Sequence, residues 1–391
     1  MDTHIKGSHN WGIWGYISNK MKKILILTNL DVGLFNFRRE LLEALLAVPY
    51  EVHIALPEGE LIPKLVKMGC IFHETKMERR GMNPLHEVKL IRRYRQVIYE
   101  VKPDAALTYT IKPNLYGGSA LASAGIPYIT NITGLGTAVE GDGLLQKVTI
   151  RMYRHAMRGV SCLFFQNQKN EQYFTKRGIA PGKHRQLPGS GVNLEWFSYL
   201  PYPKEDKPVS MLFISRVLKE KGIDQFMEMA KVIRGEYPQT RFHILGFCED
   251  DDEKPDSYRK QIADLEAQGI LTFEGMQEDV RPFLAESQCT VHPSFYPEGM
   301  SNVCLESAAS GRPVITTDRA GCRDTVEDRK TGLLVKERDT EDLIRAVREF
   351  MEMSYEQRKE MGIKARQKME REFDRRFVVE SYLKELKRIL G

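Results

Sequence analysis

Two carboxylates, Glu298 and Glu306, stand eight positions apart in the stretch Pro293-Ser294-Phe295-Tyr296-Pro297-Glu298-Gly299-Met300-Ser301-Asn302-Val303-Cys304-Leu305-Glu306. The stretch follows an apolar run, Cys289–His292, and leads into a helical pattern that begins near Ser301, a residue type favoured at helix N-caps. Glu298 is therefore expected in the loop before the helix and Glu306 about two turns inside it. The backbone N–H groups of Met300, Ser301, Asn302 and Val303 fall between them, where the first turn of a helix leaves donors unused and aimed at any anion. One loop can thus offer donors for a phosphate flanked by two acceptors for hydroxyls. A phosphorylated sugar or a nucleoside needs that arrangement.

A second element is Ser215-Arg216-Val217-Leu218-Lys219-Glu220-Lys221-Gly222, directly after the apolar run Ser210–Ser215. Arg216 and Lys221 fall at a strand end and a helix start, the carboxyl edge where α/β sheets bind ligands. A guanidinium and an ammonium there can clamp a diphosphate and stabilise it as it leaves. By itself such a pair is ordinarily a solvated helix face. With the Glu298/Glu306 loop in the same half, the binding reading becomes the stronger one.

These residues must be positioned by a regular frame, and the chain spells one out. From Lys22 it alternates strand, turn and helix: strands at Ile24–Thr28, Val52–Leu56, Ile71–His73, Ala105–Thr108 and Tyr128–Asn131; helices at Asn36–Leu46, Leu61–Met68, Pro84–Val101 and Gly117–Ala124; and a loop around Gly33. Continuous apolar runs, as opposed to alternation, describe strands covered on both faces, hence a parallel sheet between helices. Tyr199–Pro208, with three prolines and four charges, has linker composition. The rhythm then restarts with Ser210–Ser215, Ile223–Gly235, Arg241–Leu245, Ser257–Ala267, Leu271–Glu274, Cys289–His292 and Val314–Thr316, and ends in two helical segments over Tyr355–Leu390. This gives an N-terminal extension (1–20), a first domain (21–198), a linker (199–208), a second domain (209–370) and a terminal helix (371–391) that packs back on the first domain.

Arg216 with Lys221, the turn Gly246-Phe247, and Glu298-x7-Glu306 preceded by Pro293-Ser294 resemble the family-four retaining glycosyltransferases. The resemblance runs from Met21 over nearly the whole chain. In the first half, YTIKPN (109–114), NITGLG (131–136), FFQN (164–167) and GSGVN (189–193) are similar to the bacterial subgroup that makes capsules, O-antigens and lipid-linked glycans. The resemblance implies an α/β protein of GT-B architecture: two Rossmann-like, doubly wound parallel-sheet domains facing a central cleft. It implies no cofactor and no metal, the nucleotide-sugar being a substrate. Arg216 and Lys221 then hold the donor diphosphate, Glu298 the donor sugar hydroxyls and Glu306 the ribose hydroxyls. Gly33 lets the backbone approach the phosphates, and Gly246, Phe247, Met300, Ser301, Asn302 and Val303 complete the donor site. Asn131, Thr133 and Lys112 fall on the acceptor side. Two departures concern the first half: its first loop has one glycine where many relatives have two, and the position where several carry histidine falls within NITGLG.

The implied reaction is transfer of a sugar from a nucleotide-sugar, a UDP-sugar, to a lipid-linked or oligosaccharide acceptor in bacterial surface polysaccharide synthesis. Two other readings share the fold: an isomerase like the UDP-N-acetylglucosamine 2-epimerases, and a catalytically silent sugar-nucleotide-binding subunit.

The remaining signals bear on class and location. No run of eighteen apolar residues occurs, which excludes a spanning helix. Six cysteines are scattered without metal or disulfide spacing, consistent with a reduced cytoplasmic interior. Residues 1–200 hold 26 Lys/Arg against 16 Asp/Glu, a balance of +10, whereas the rest carries −5. That asymmetry fits an anionic partner on the first half. Lys89, Arg92, Arg93, Arg95 and Lys102, and an amphipathic helix expected over Leu144–Val160 with Lys147, Arg151, Arg154 and Arg158, make an anionic membrane surface a candidate for peripheral contact. Aromatic interleaving of the kind nucleic-acid binding uses is weak, so nucleic acid is not expected as a partner. Asp250-Asp251-Asp252 reads as a solvated turn and His292 as a packed, hydrogen-bonded histidine.

Overall fold

The computed structural model describes residues 21–78, 84–136, 139, 143–248 and 257–391. The leader 1–20 and the acidic run Asp250–Asp252 lie outside the described residues. The first half folds as β1 (Lys22–Leu27), α1 (Asp31–Ala47), β2 (Tyr50–Leu56), α2 (Ile62–Met68), β3 (Ile71–Glu74), α3 (Pro84–Val101) and β4 (Ala105–Tyr109). A π-helical turn (Pro113–Gly117) then runs into α4 (Gly118–Ser123), followed by β5 (Tyr128–Ile132), α5 (Leu144–Ala156), β6 (Val160–Phe165), α6 (Gln168–Thr175) and β7 (His184–Gln186). The second half has β8 (Ser210–Ile214), a 3-10 turn (Lys219–Lys221), α7 (Ile223–Glu236), β9 (Arg241–Leu245), α8 (Tyr258–Ala267), β10 (Thr272–Gly275) and α9 (Arg281–Glu286). It continues with β11 (Cys289–His292), α10 (Asn302–Ala309), β12 (Val314–Thr317), a 3-10 turn (Arg323–Thr325), β13 (Gly332–Val335), α11 (Thr340–Glu352), α12 (Tyr355–Glu372) and α13 (Arg375–Leu390).

Both sheets are parallel throughout, in the orders β3-β2-β1-β4-β5-β6-β7 and β10-β9-β8-β11-β12-β13. Each has an apolar cluster on either face, as the uninterrupted apolar runs demand. In each sheet the strand order reverses once beside the first strand of that half, between β1 and β4 and between β8 and β11. Loops leaving the carboxyl ends of strands at such a switch point frame a ligand crevice.

The structure adds elements that the sequence expectation did not name, among them β6, β7, β13, α9 and α11, and departs from it at further points. The helix expected over Leu144–Val160 stops at Ala156, and Val160 opens the buried strand β6. Gly33 is not in a loop: α1 already begins at Asp31, whose carboxylate accepts from the Val32 N–H at 2.8 Å. Glu306 is the fifth residue of α10, a little over one turn in.

The ends of the chain tie the halves together. Val378, Val379, Tyr382 and Leu386 of α13 bury in the cluster that holds Ile24, Ile26, Leu41 and Leu42 of β1 and α1. The proline-rich stretch 199–208 is likewise anchored. Arg312, fully buried, donates to the carbonyls of Leu200 (3.1 Å) and Pro201 (2.8 Å) on that stretch and to Leu284 (2.6 Å).

Candidate active site

At the β8/β11 switch point two loops are laced together by their backbones. Phe295 N–H donates to the Glu220 carbonyl at 2.8 Å, and Gly222 turns with φ +80°, so close to Pro293 that a Cβ would stand 2.2 Å from its carbonyl oxygen. Only glycine fits there. The result is that the Lys221 ammonium, at the end of one loop, is ion-paired with Glu298 Oε1 at the end of the other, and lies 4.9 Å from the Tyr296 ring centroid. Both side chains are nearly withdrawn from water, at 13% and 12% exposure. Burial alone would raise the Glu298 carboxyl. The Lys221 ammonium, with His292 and the Ser294 hydroxyl at 3.5 Å, outweighs it and holds the group below the usual carboxylate range. Glu298 is thus an ionised acceptor at neutral pH, suited to sugar hydroxyls. Arg216 is half-buried in the same β8 loop, and the adjoining Val217 N–H donates to the Phe247 carbonyl at 2.9 Å.

Ser301 caps α10, its hydroxyl accepting from the Cys304 N–H at 3.4 Å. Its own N–H is taken by the Gly321 carbonyl at 2.9 Å, so Ser301 is not one of the anion donors expected from the sequence. Asn302 and Val303 keep N–H groups with no partner among the described residues. Met300 is buried against the first half, where a Cβ on Gly189 would stand 2.6 Å from its side chain. Burial pushes the Glu306 carboxyl up to about 7, against the pull of Arg375.

Gly246 is glycine for a packing reason. A Cβ there would meet the Ser215 carbonyl oxygen at 1.8 Å, which seats β9's end against the Arg216 loop. The exposed ring of Phe247 follows it. Gly33 has nothing within 4 Å of where a Cβ would stand, so protein packing does not demand glycine there; open space at the first turn of α1 does remain for a ligand.

The acceptor-side expectations fare unevenly. Asn131 is fully buried in β5 and its amide donates to Tyr382 Oη at 2.8 Å, so it ties α13 to the sheet and has no path to an acceptor. Thr133 does reach the seam: its carbonyl accepts from the Gly299 N–H at 3.0 Å. Lys112 is ion-paired with the buried Glu87 at 2.5 Å and lines a cavity of about 350 Å³ with Lys76, His86, Glu87 and Lys89. His292, expected to be hydrogen-bonded, is buried without a hydrogen bond of ordinary geometry from either ring nitrogen.

Three residues singled out by no chemical expectation complete the seam. Asn167 caps α6 and its amide donates to the Gly299 carbonyl at 2.6 Å. Gly134 approaches so near that a Cβ would stand 2.9 Å from the Pro297 carbonyl. Arg375 bonds Glu40 at 2.9 Å and the Gly191 carbonyl at 3.2 Å, and its charge is felt at Glu306. The segments NITGLG, FFQN and GSGVN were the available signal, since each ends on the loop 297–300 or on Arg375.

Two facing parallel-sheet domains, with a cationic and an acidic loop meeting at a switch point beside a helix N-terminus, define the class: a two-domain, GT-B-type enzyme. Comparison with known proteins narrows it. The family model described as "Glycosyl transferases group 1" matches residues 201–368, and "Glycosyl transferase 4-like" matches residues 23–167. Over 337 residues the chain is 25% identical to the N,N'-diacetylbacillosaminyl-diphospho-undecaprenol alpha-1,3-N-acetylgalactosaminyltransferase of Campylobacter jejuni, covering 82% of this chain and 87% of that one. A shorter match, 31% over 178 residues, links 46% of the chain to 49% of the lipopolysaccharide core biosynthesis glycosyltransferase LpsE of Rhizobium meliloti. Among solved structures, a glycosyltransferase from Rickettsia africae superposes with a TM-score of 0.76 at 18% identity, covering 95% of this chain and 99% of that one. Anabaena HepE in complex with UDP and glucose superposes with 0.74 at 16%, covering 94% and 99%. The chain belongs to the family-four glycosyltransferases and is a glycosyltransferase enzyme of GT-B fold.

Proposed function

We propose that this enzyme moves a sugar from a UDP-sugar to a lipid-linked or oligosaccharide acceptor in bacterial surface-glycan synthesis, with retention at the anomeric carbon. The observation that carries the donor site is the Lys221–Glu298 contact at the β8/β11 switch point, beside the unpartnered Asn302 and Val303 N–H groups. Arg216, Lys221 and those amides face the charge that grows on a departing diphosphate, while Glu298 and Glu306 accept from sugar and ribose hydroxyls. The side chains supply the positive charge that a divalent cation provides elsewhere, so Mg2+ or Mn2+ added to the assay leaves the rate unchanged. The HepE structure carries UDP, and the Campylobacter relative's name specifies a diphospho-undecaprenol-linked acceptor; both support the substrate classes.

The first half suits a lipid-linked acceptor. None of the described helices is long and apolar enough to cross a membrane. Yet α3 and α5 expose Leu85, Val88, Tyr99, Leu144, Leu145 and Val148 beside Lys89, Arg92, Arg95, Lys147, Arg151 and Arg154. Apolar side chains flanked by cations are what an anionic lipid surface holds.

Incubation with UDP-, GDP- and dTDP-sugars in the presence of a polyprenyl-diphosphate glycan tests the reading. Release of UDP with a lengthened glycan is the expected outcome. An epimerised nucleotide-sugar would make the enzyme an isomerase, and binding without turnover a silent subunit.

A further inference from the structure

Behind the loop that carries Glu298, three side chains with soft or borderline donor atoms converge in the interior. His292 ends β11, Cys304 lies in the first turn of α10, and Cys322 stands just before the 3-10 turn Arg323–Thr325. One ring nitrogen and the two sulfurs all lie within 4.8 Å of one another. His292 is 1% exposed and both cysteines are fully buried. Neither His292 nitrogen has a hydrogen-bond partner of ordinary geometry among the described residues, its polar neighbour in the cluster being the Cys322 thiol, and a buried imidazole is seldom left in that state. Neither thiol is in a disulfide, and the two face each other. The Cys304 thiol faces Thr316 Oγ1 at 3.9 Å, and that hydroxyl donates to the His292 carbonyl at 2.7 Å.

We propose that His292, Cys304 and Cys322 form a binding site for a borderline or soft transition-metal ion, Zn2+ foremost, that fastens the donor loop from behind. One imidazole nitrogen and two sulfurs are a donor set such ions prefer to oxygen-only cages. Tetrahedral Zn2+ places ligand atoms roughly 3.5–3.8 Å apart, so the three side chains close on an ion with shifts of about an ångström. Charge also balances. Each thiol releases its proton to solvent as its sulfur–metal bond forms, two protons leave per ion, and no electron is transferred. A dication with two thiolates and a neutral imidazole is then uncharged, which suits a buried setting.

The position gives the site its consequence. The three ligands come from the strand before the 293–301 loop, the helix after it, and the segment beside it whose Gly321 carbonyl accepts from the Ser301 N–H. A metal bridging them fixes the base on which Glu298 and the α10 amides stand. Neither Arg216 nor Lys221 belongs to the cluster, so the site does not depend on which donor the cleft takes.

The full chain, reduced and stripped of metal, is titrated with Co2+, whose thiolate charge-transfer and d–d absorption report sulfur ligation and tetrahedral geometry. The expected result is a single equivalent bound with a thiolate band, displaced stoichiometrically by Zn2+, and a melting temperature that rises with either ion. Cys322→Ala and Cys304→Leu, the latter keeping the space filled with apolar atoms, each weaken the site at least tenfold in variants whose melting transitions show them folded. A folded wild type with no thiolate band, or a band that survives both substitutions, overturns the proposal.

Discussion

At the switch point of the second sheet, the loops after β8 and β11 bring Lys221 onto Glu298; at that of the first sheet, Gly33 lies in the first turn of α1 and Lys112 in the helical turn after β4, and Lys112 pairs instead with Glu87 of α3. The same topology thus frames a compact charged site in one half and an open, cavity-lined edge in the other. A diphosphate is small, rigid and always charged, so a few residues on two adjacent loops suffice to hold it. On the proposed function, the acceptor is a long lipid-linked glycan whose contacts are expected to spread over α3, α5 and the loops between β4 and β6.

The largest effect should come from breaking the donor side. Lys221→Ala and Arg216→Ala are each expected to lower transfer on the order of 10²-fold or more, as loss of a charge aimed at a leaving group does. Initial rates of nucleoside diphosphate release measure it, and a variant with wild-type turnover removes that residue from the mechanism. The seam between the halves comes next. A methyl at Gly299 would stand 2.3 Å from Gln166 Oε1 and 2.6 Å from the Thr133 carbonyl, so Gly299→Ala must push the two halves apart. We expect a cost of about 1–3 kcal/mol, seen as roughly tenfold or greater loss of turnover with a lowered melting temperature. Full activity at full stability would show that the seam opens freely.

The contrast sharpens at Asn131. Its amide holds Tyr382 in the interior, so Asn131→Ala is expected to lower stability by about 1–2 kcal/mol in denaturant unfolding while the folded enzyme keeps its acceptor KM. A raised acceptor KM without loss of stability would return Asn131 to the acceptor site. The smallest effect concerns the membrane. Each cation near an anionic surface contributes roughly 1 kcal/mol, so binding to anionic vesicles should be reversible and weakened by salt. Changing Arg92, Arg93, Arg151 and Arg154 to Gln should reduce co-sedimentation at low salt. Equal sedimentation of both proteins would place the contact elsewhere.

The same contrast governs what the sequence discloses. The meeting of Lys221 with Glu298, and the place of Glu306 inside α10, are legible because they are short-range: a strand end sets Lys221, and eight positions across one helix start set the two carboxylates. Strands buried on both faces are legible too, as unbroken apolar runs. Asn131 misleads because a polar side chain inside a buried strand looks the same whether it faces a cleft or bonds a tyrosine 251 residues away. The helix of Leu144–Val160 overruns because the amphipathic pattern carries through Gly159 into β6, and only pairing with Tyr128 of β5 makes Val160 a strand residue. Gly33 looks like a loop because Asp31 can serve the first turn of a helix as readily as a turn before it. Asn167, Gly134 and Arg375 each meet partners more than a hundred residues away, a relation that local spacing does not encode.

The central claim is that the nucleotide of the donor sits at the β8/β11 switch point with its ribose on Glu306. Titration calorimetry of the wild type and of Glu306→Ala with UDP tests it most directly, because a ribose contact exists before any chemistry and must appear in the ground state. The account predicts a single UDP site in the wild type and affinity lower by roughly tenfold, about 1.4 kcal/mol, in the variant. Equal affinity in the two proteins, or no UDP binding by the wild type, would contradict it.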